Sequence, residues 1–275
     1  MKVHKPTTPG RRGMVTTDYS VLDKKKPEKS LTHFAHRKKG RSHGKITSRR
    51  RGGGVKKLYR EIDFKQNILG DQLTVQALEY DPYRSAFIAL VQNQNGKKCY
   101  ILAFDGARVG VTVKIAEKAP IKPGNRMILK NVPVGSFVHN VELNPGRGGQ
   151  MVRSAGASAK VLAHDGSRTH LVMPSSEVRV VRNEGLATVG AVSNPSHGDQ
   201  VFGKAGRKRL MGRRPSVRGS AMNPVDHPHG GGEGRSPIGL KYPKTPWGKH
   251  ALGVKTRNRK KYSNPSIMRR RKKNK

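Results

Sequence analysis

The chain has 275 residues, with 57 Lys and Arg against 17 Asp and Glu, and a formal net charge of +40. Self-repulsion on that scale disfavours compaction and calls for a dense polyanion, of which nucleic acid is the commonest in a cell. A single cysteine, Cys99, excludes an internal disulfide and a cysteine zinc cage. The longest clearly apolar run, residues 86–91, falls far short of the roughly 20 residues of a membrane-spanning helix.

The charge is unevenly placed. Residues 1–60 carry 19 Lys and Arg against 3 acids, residues 61–200 carry 16 against 12, and residues 201–275 carry 22 against 2. Apolar residues run the other way, with 58 in the middle 140 residues and 33 in the 135 of the two flanks. Ordering a backbone residue costs about 1–2 kcal/mol, and fully burying a large apolar side chain returns about 1.5–3 kcal/mol. On those terms only the middle builds a core, and the flanks are expected to stay disordered until a partner binds. The start, Met1-Lys2-Val3-His4-Lys5-Pro6, lacks the apolar stretch of a secretory signal. The expectation is a soluble intracellular protein with no membrane partner, in which Cys99 is a small buried residue.

In chain order, residues 1–57 are punctuated by glycine and proline and end in Arg49-Arg50-Arg51-Gly52-Gly53-Gly54, with no helical or strand period. Strand-like runs then follow at 58–64, 73–80, 86–92, 98–104 and 109–115. A second set lies at 126–129, 137–143, 157–164, 169–173, 178–181 and 187–192. Asn95-Gly96 and Asp165-Gly166 supply the positive backbone angles of tight hairpins, while Pro123-Gly124 and Pro145-Gly146 mark wider corners. Some runs are apolar on both faces, as in Cys99-Tyr100-Ile101-Leu102-Ala103-Phe104, which suits small closed barrels. About eleven short strands with a joint at 116–125 predict two five- or six-stranded barrels, divided near residue 125. After Gln200 the pattern stops; residues 203–214 allow one short basic helical turn, and 18 Gly and Pro in the last 75 residues argue for an extended path.

Basic side chains neutralise phosphates and release condensed counterions, and arginine's planar fork grips phosphate oxygens in pairs. Phosphate contacts are expected from Arg49, Arg50, Arg51, Arg147, Lys204, Arg207, Arg213, Arg214, Arg218 and Arg235. Aromatic residues make up only 5% of the chain, too few for a platform that reads single-stranded bases, so folded RNA recognised by shape and phosphate is favoured. Trp247, the only tryptophan, either stacks on one base or packs against its neighbouring prolines. The densest polar cluster, Asp226-His227-Pro228-His229 with Glu233, has the residue types of a metal site or an acid–base pair. It lies in a glycine-rich segment without the apolar face that would hold such groups rigid, so a loop threaded through RNA is the preferred use. No phosphate-binding GxxxxGK[ST] loop, GxSxG elbow or dinucleotide GxGxxG is present. No catalytic residue, metal or cofactor is expected.

Four segments carry a resemblance. Glu79-Tyr80-Asp81-Pro82-Tyr83-Arg84-Ser85, the run Pro133 to Glu142, the run Pro145-Gly146-Arg147-Gly148-Gly149-Gln150 through Gly156, and the run Gly219 to Arg235 closely resemble the bacterial form of the large-subunit ribosomal protein two family, over nearly the whole chain. The resemblance implies an oligonucleotide-binding (OB-fold-like) barrel at 58–125 and an SH3-like barrel at 126–200. A basic N-terminal extension, 1–57, and a basic C-terminal extension, 201–275, would thread into ribosomal RNA. It further implies roles in subunit assembly, in contact with the small subunit, in tRNA binding and in support of the peptidyl transferase centre, where RNA does the chemistry. Neighbouring ribosomal proteins are implied partners. Family RNA contacts carry over to Arg84, Arg153 and His229. The sequence departs from relatives at Gln66-Asn67-Ile68-Leu69, which leaves Lys65 as the basic contact there, and at Val55 after the three glycines. Ser236-Pro237-Ile238-Gly239 is similar to cyanobacterial and plastid relatives, which sets the plastid stroma beside the bacterial cytoplasm as a location. Two rivals of other classes are a general nucleic-acid condensing protein and an enzyme using His227 and His229.

Overall fold

A computed structural model describes residues 1–35 and 39–271. It is mainly β, as expected, and divides into two compact units: Met1–His36 with Lys56–Lys204 and Pro265–Lys275, and Arg37–Val55 with Ala205–Asn264. No helix among the described residues is long and apolar enough to cross a membrane.

Among its described residues the first unit holds two main antiparallel sheets, of four and seven strands, with three two-stranded ones beside them, in the sequence order that suits an OB-fold-like domain followed by an SH3-like one. The first sheet orders its strands Thr112–Lys114, Gln72–Glu79, Ile88–Asn93 and Lys98–Leu102. Its runs are apolar on both faces because both faces are covered. Leu73, Val75, Ala89, Val91, Ile101 and Val113 pack on one side, while Ala77, Ile88, Leu90 and Tyr100 meet Leu31 and Ile62 on the other. The Asn95-Gly96 hairpin takes its positive φ at Gly96 alone (79°), and Gly96 N–H closes the turn onto Asn93 O at 3.0 Å.

The second sheet has seven strands, ordered Arg126–Ile128, Leu186–Val189, Phe137–His139, Ala159–Asp165, Arg168–Val172, Val178–Arg182 and Ile267–Arg269. Met127, Leu129, Val138, Ala159, Val161, Leu171 and Ala187 are fully buried beneath it. The run expected at 137–143 is broken at Asn140, whose φ of 48° separates Phe137–His139 from Val141–Glu142 and aims the chain at the Pro145–Gly149 corner. Within this unit the sheets are joined by Asp105 N–H to Ala191 O at 2.9 Å and by Phe87 N–H to Ser193 Oγ at 3.1 Å.

The expectation that only the middle supplies core side chains needs correcting. Leu22, from the first flank, joins the core of the first sheet, and Met14 is buried as well. From the last flank, Ile267–Arg269 adds an edge strand to the second sheet through Val178 and Arg179. These few apolar residues fall at positions where a neighbouring sheet leaves a face or an edge open, which a count of composition does not register. The expected basic helical turn is present as a six-residue helix, Ala205–Leu210.

Candidate nucleic-acid interface

Phe64 is half-buried against Ala86 and Leu102, from the N-terminal domain side, and Val192, which follows the strand Leu186–Val189. Two arginines reach its ring. The Arg153 guanidinium lies 4.5 Å from the ring centroid and that of Arg84 lies 5.7 Å away, both within the range of cation–π attraction. Arg84 also lies 5.6 Å from the Tyr59 ring.

The pair divides into an inner and an outer member. The Arg84 side chain is 15% exposed, and its Nε meets the fully buried Asp81 carboxylate at 3.1 Å. The other oxygen, Asp81 Oδ1, accepts from Tyr83 N–H at 2.7 Å, so a local turn fixes the carboxylate. Arg153 is exposed and donates one N–H to Gly149 O at 3.3 Å, with no acid recorded against it among the described residues. Lys65 and Arg147 are exposed beside this ring: Lys65 follows it in the chain, and Gly149 N–H donates to Phe64 O at 2.8 Å. Asp63 Oδ1 accepts from the amides of Lys65 (2.8 Å) and Gln66 (3.1 Å), an Asx turn that presents Lys65 outward.

The loop bearing Arg147 is held from beneath by a charge. Glu142, with no solvent exposure, accepts from Gly148 N–H at 3.1 Å, and from Gly146 N–H and Leu186 N–H at 3.2 Å each. Arg126, equally buried, donates to Glu142 Oε1 at 3.2 Å, to Asn140 O at 2.9 Å and to Thr188 Oγ1 at 3.2 Å. Burial pushes the Arg126 guanidinium down to about 10, against the pull of Glu142. A side chain at Gly149 would collide with the Asn140 side chain, so this corner needs glycine for close approach.

Cys99 is half-buried beside the first core, and burial, with Asp63 and Asp71 adding to it, raises its thiol to about 11.

In the second unit the histidine loop is tied down by its own rings. His227, 7% exposed, accepts His229 N–H at Nδ1 (3.0 Å), and His229 accepts Lys244 N–H at Nε2 (2.8 Å), with the rings 4.7 Å apart. Each ring thus accepts a hydrogen bond from a backbone donor. Burial, then the charges of His229 and Arg49, lower the His227 pKa. Among the described residues no group of three His, Cys, Asp or Glu converges as metal ligands.

Arg218 and Arg235 are exposed on the flanks of this loop. Trp247 is 73% exposed at the tip of a turn closed by Gly248 N–H to Thr245 O at 2.9 Å, so it does not pack against the neighbouring prolines. Arg49, Arg50, Arg51, Arg213 and Arg214 are exposed, and Arg207 is half-buried on the short helix. In the first unit, Lys204 is exposed, with its chain against Gly10.

A family model described as the RNA-binding N-terminal domain of ribosomal proteins L2 matches residues 28–115, and one described as the C-terminal domain of the same proteins matches 122–248. The large ribosomal subunit protein uL2 of Roseobacter denitrificans is 52% identical over 270 residues, covering 98% of this chain and 96% of its own. The chain belongs to the ribosomal protein L2 family. Phe64 and Arg84 fall in the N-terminal domain of that family, and Arg153, His229 and Trp247 in the C-terminal one. The chain thus assembles its arginine pair from both domains. The sequence named Arg84, Arg153, Lys65 and Arg147, which the structure places around Phe64, but not Phe64, Arg126 or Glu142. The available signals were an aromatic residue directly before Lys65 and an acid directly before the Pro145–Gly149 corner.

Proposed function

We propose that this chain is a structural constituent of the large ribosomal subunit that binds ribosomal RNA and performs no catalysis of its own. The observation that carries this reading is family membership over nearly the whole length, joined to an exposed guanidinium at a two-domain seam with no acid paired to it among the described residues. Arg153, Lys65 and Arg147 meet phosphates at that seam, while Arg84 stands behind them and fixes the ring on which Arg153 lies. On this reading residues 58–125 and 126–200 are two RNA-facing domains, and 1–57 and 201–275 are the basic extensions. Arg49, Arg50, Arg51, Lys204, Arg207, Arg213, Arg214, Arg218 and Arg235 neutralise phosphates along the extensions, with Trp247 available to stack.

The histidine loop reaches into RNA through His229 as a shaped segment, in support of the peptidyl transferase centre. Contact with the small subunit, with neighbouring ribosomal proteins and indirectly with tRNA belongs to the same reading, which places the protein on cytoplasmic ribosomes. The experiment is recovery of the RNA that copurifies with the tagged chain at moderate salt. Large-subunit ribosomal RNA supports the proposal. Absence of the chain from purified ribosomes, or equal affinity for random duplex DNA at physiological salt, overturns it; the latter favours a condensing protein.

A further inference from the structure

The second unit is built from a segment of each flank, residues 37–55 and 205–264, which together carry 23 Lys and Arg against 2 acids. It has no hydrophobic core: among its described residues only His227 and Ser263 are buried, and no apolar side chain is. What joins the two arms is backbone. Gly52 N–H donates to Gly212 O at 3.1 Å, Val55 N–H to Leu210 O at 2.9 Å and Arg214 N–H to Arg50 O at 3.0 Å. The Arg50 guanidinium adds bonds to Val217 O at 2.8 Å and to Ser216 Oγ.

Approach this close requires glycine. At Gly54, φ is +91°, and a Cβ would stand 2.9 Å from Gly212 N and 3.1 Å from Leu210 O. The ribbon sets Arg51 directly opposite Arg213. Like charges facing each other across a strand pair oppose pairing, and no ion pair is recorded for either among the described residues. Arg49, Arg50 and Arg214, all exposed, crowd the same few ångströms of chain. Neither burial nor internal charge pairing accounts for such a ribbon.

We infer that residues 50–55 and 210–217 form one composite phosphate-binding ribbon, in which an RNA backbone lying along the facing arginines takes the place of a core. The inference rests on the rRNA-binding reading and deepens it: the two extensions do not engage RNA independently but order as a pair. Phosphate oxygens bridging Arg51 and Arg213 turn the repulsion between them into two charge-assisted contacts with one anion. Gly54 keeps the backbones close enough for a single strand of nucleic acid to touch both arms.

Amide hydrogen exchange on the full chain, free and bound to purified large-subunit rRNA, tests this. With rRNA bound, the amides of 52–55 and 213–214 slow together by roughly tenfold or more. Gly54→Val returns both segments to fast exchange, while residues 88–102 keep their protection and the rRNA stays bound through the body. Arg213→Glu puts a carboxylate opposite Arg51 and slows both segments without RNA, an effect that added salt removes. Equal protection of the ribbon in free and bound wild-type chain overturns the inference, as does a Gly54→Val variant that loosens its own arm alone. Failure of the wild-type chain to bind the rRNA at all overturns the function reading instead, so the two failures are distinguishable.

Discussion

Arg126 and Glu142 face each other at 3.2 Å with no solvent exposure on either side chain, and the same carboxylate receives the amides of Gly146 and Gly148. The charge that Arg126 balances is the one that shapes the loop carrying Arg147. Removing one partner of a buried pair leaves the other uncompensated and costs about 3–5 kcal/mol. Glu142→Ala is expected to lose that much in urea denaturation. Replacing both, Arg126→Met with Glu142→Leu, is expected to restore most of the stability, since apolar substitutes are often neutral. The double variant still lacks an acceptor for the two glycine amides. Its rRNA affinity should therefore stay low, and exchange at 146–148 should stay fast, even where its unfolding midpoint recovers.

The two arginines on Phe64 respond differently to truncation. Arg153→Ala is expected to weaken rRNA binding by about 1.5–3 kcal/mol, the range for hydrogen bonds to charged groups, with the unfolding midpoint unchanged. Arg84→Ala strands the buried Asp81 carboxylate and is expected to lower stability by about 1–3 kcal/mol before binding is measured. Filter binding and denaturant melts on the two variants separate the roles. Equal stability loss in both would contradict the inner and outer assignment.

The strand plan was readable because each strand carries its own apolar period and each corner its own glycine or proline: Ile88–Asn93 and Arg168–Val172 stand within two residues of their expected places. The break at Asn140 was not readable, since Phe137 to Leu143 is a continuous strand-like run and only the tertiary demand of the Arg126 contact turns it. Arg153 was named through its motif. Its aromatic seat was not, because Phe64 and Arg153 belong to different domains and no local pattern links them. The pairing of residues 50–55 with 210–214 escaped for the same reason, although three consecutive glycines at 52–54 signalled a close approach to something.

His139 supplies a pH dependence with a definite sign. It is 1% exposed and bonds Gly190 O through Nδ1 at 3.0 Å; burial, outweighing that bond, lowers its pKa to about 4 from 6.5. Below pH 6.5 the unfolded chain takes up a proton that the folded chain refuses until about pH 4. Stability from this group is complete above pH 6.5 and is lost as pH falls through the window between the two values. At pH 5 the loss is about 2 kcal/mol. Urea melts at pH 7.5 and pH 5, run on wild type and on His139→Gln, isolate it: the wild-type difference should exceed that of the variant.

His227 tests the loop in the second unit. Because Nδ1 accepts the His229 amide, the proton of the neutral ring sits on Nε2, and burial with the neighbouring charges of His229 and Arg49 keeps the pKa below 6.5. Nitrogen-15 NMR of the imidazoles should show the Nε2–H tautomer at pH 7 and a midpoint below 6.5. As pH falls through that midpoint the ring gains a proton on Nδ1, the His229 amide loses its acceptor, and the amides of 229–231 should exchange faster. The sheets of the first unit should hold their protection over the first part of this titration. A His227 midpoint at or above 6.5, or the Nδ1–H tautomer, would mean that the ring does not hold the loop in the way described.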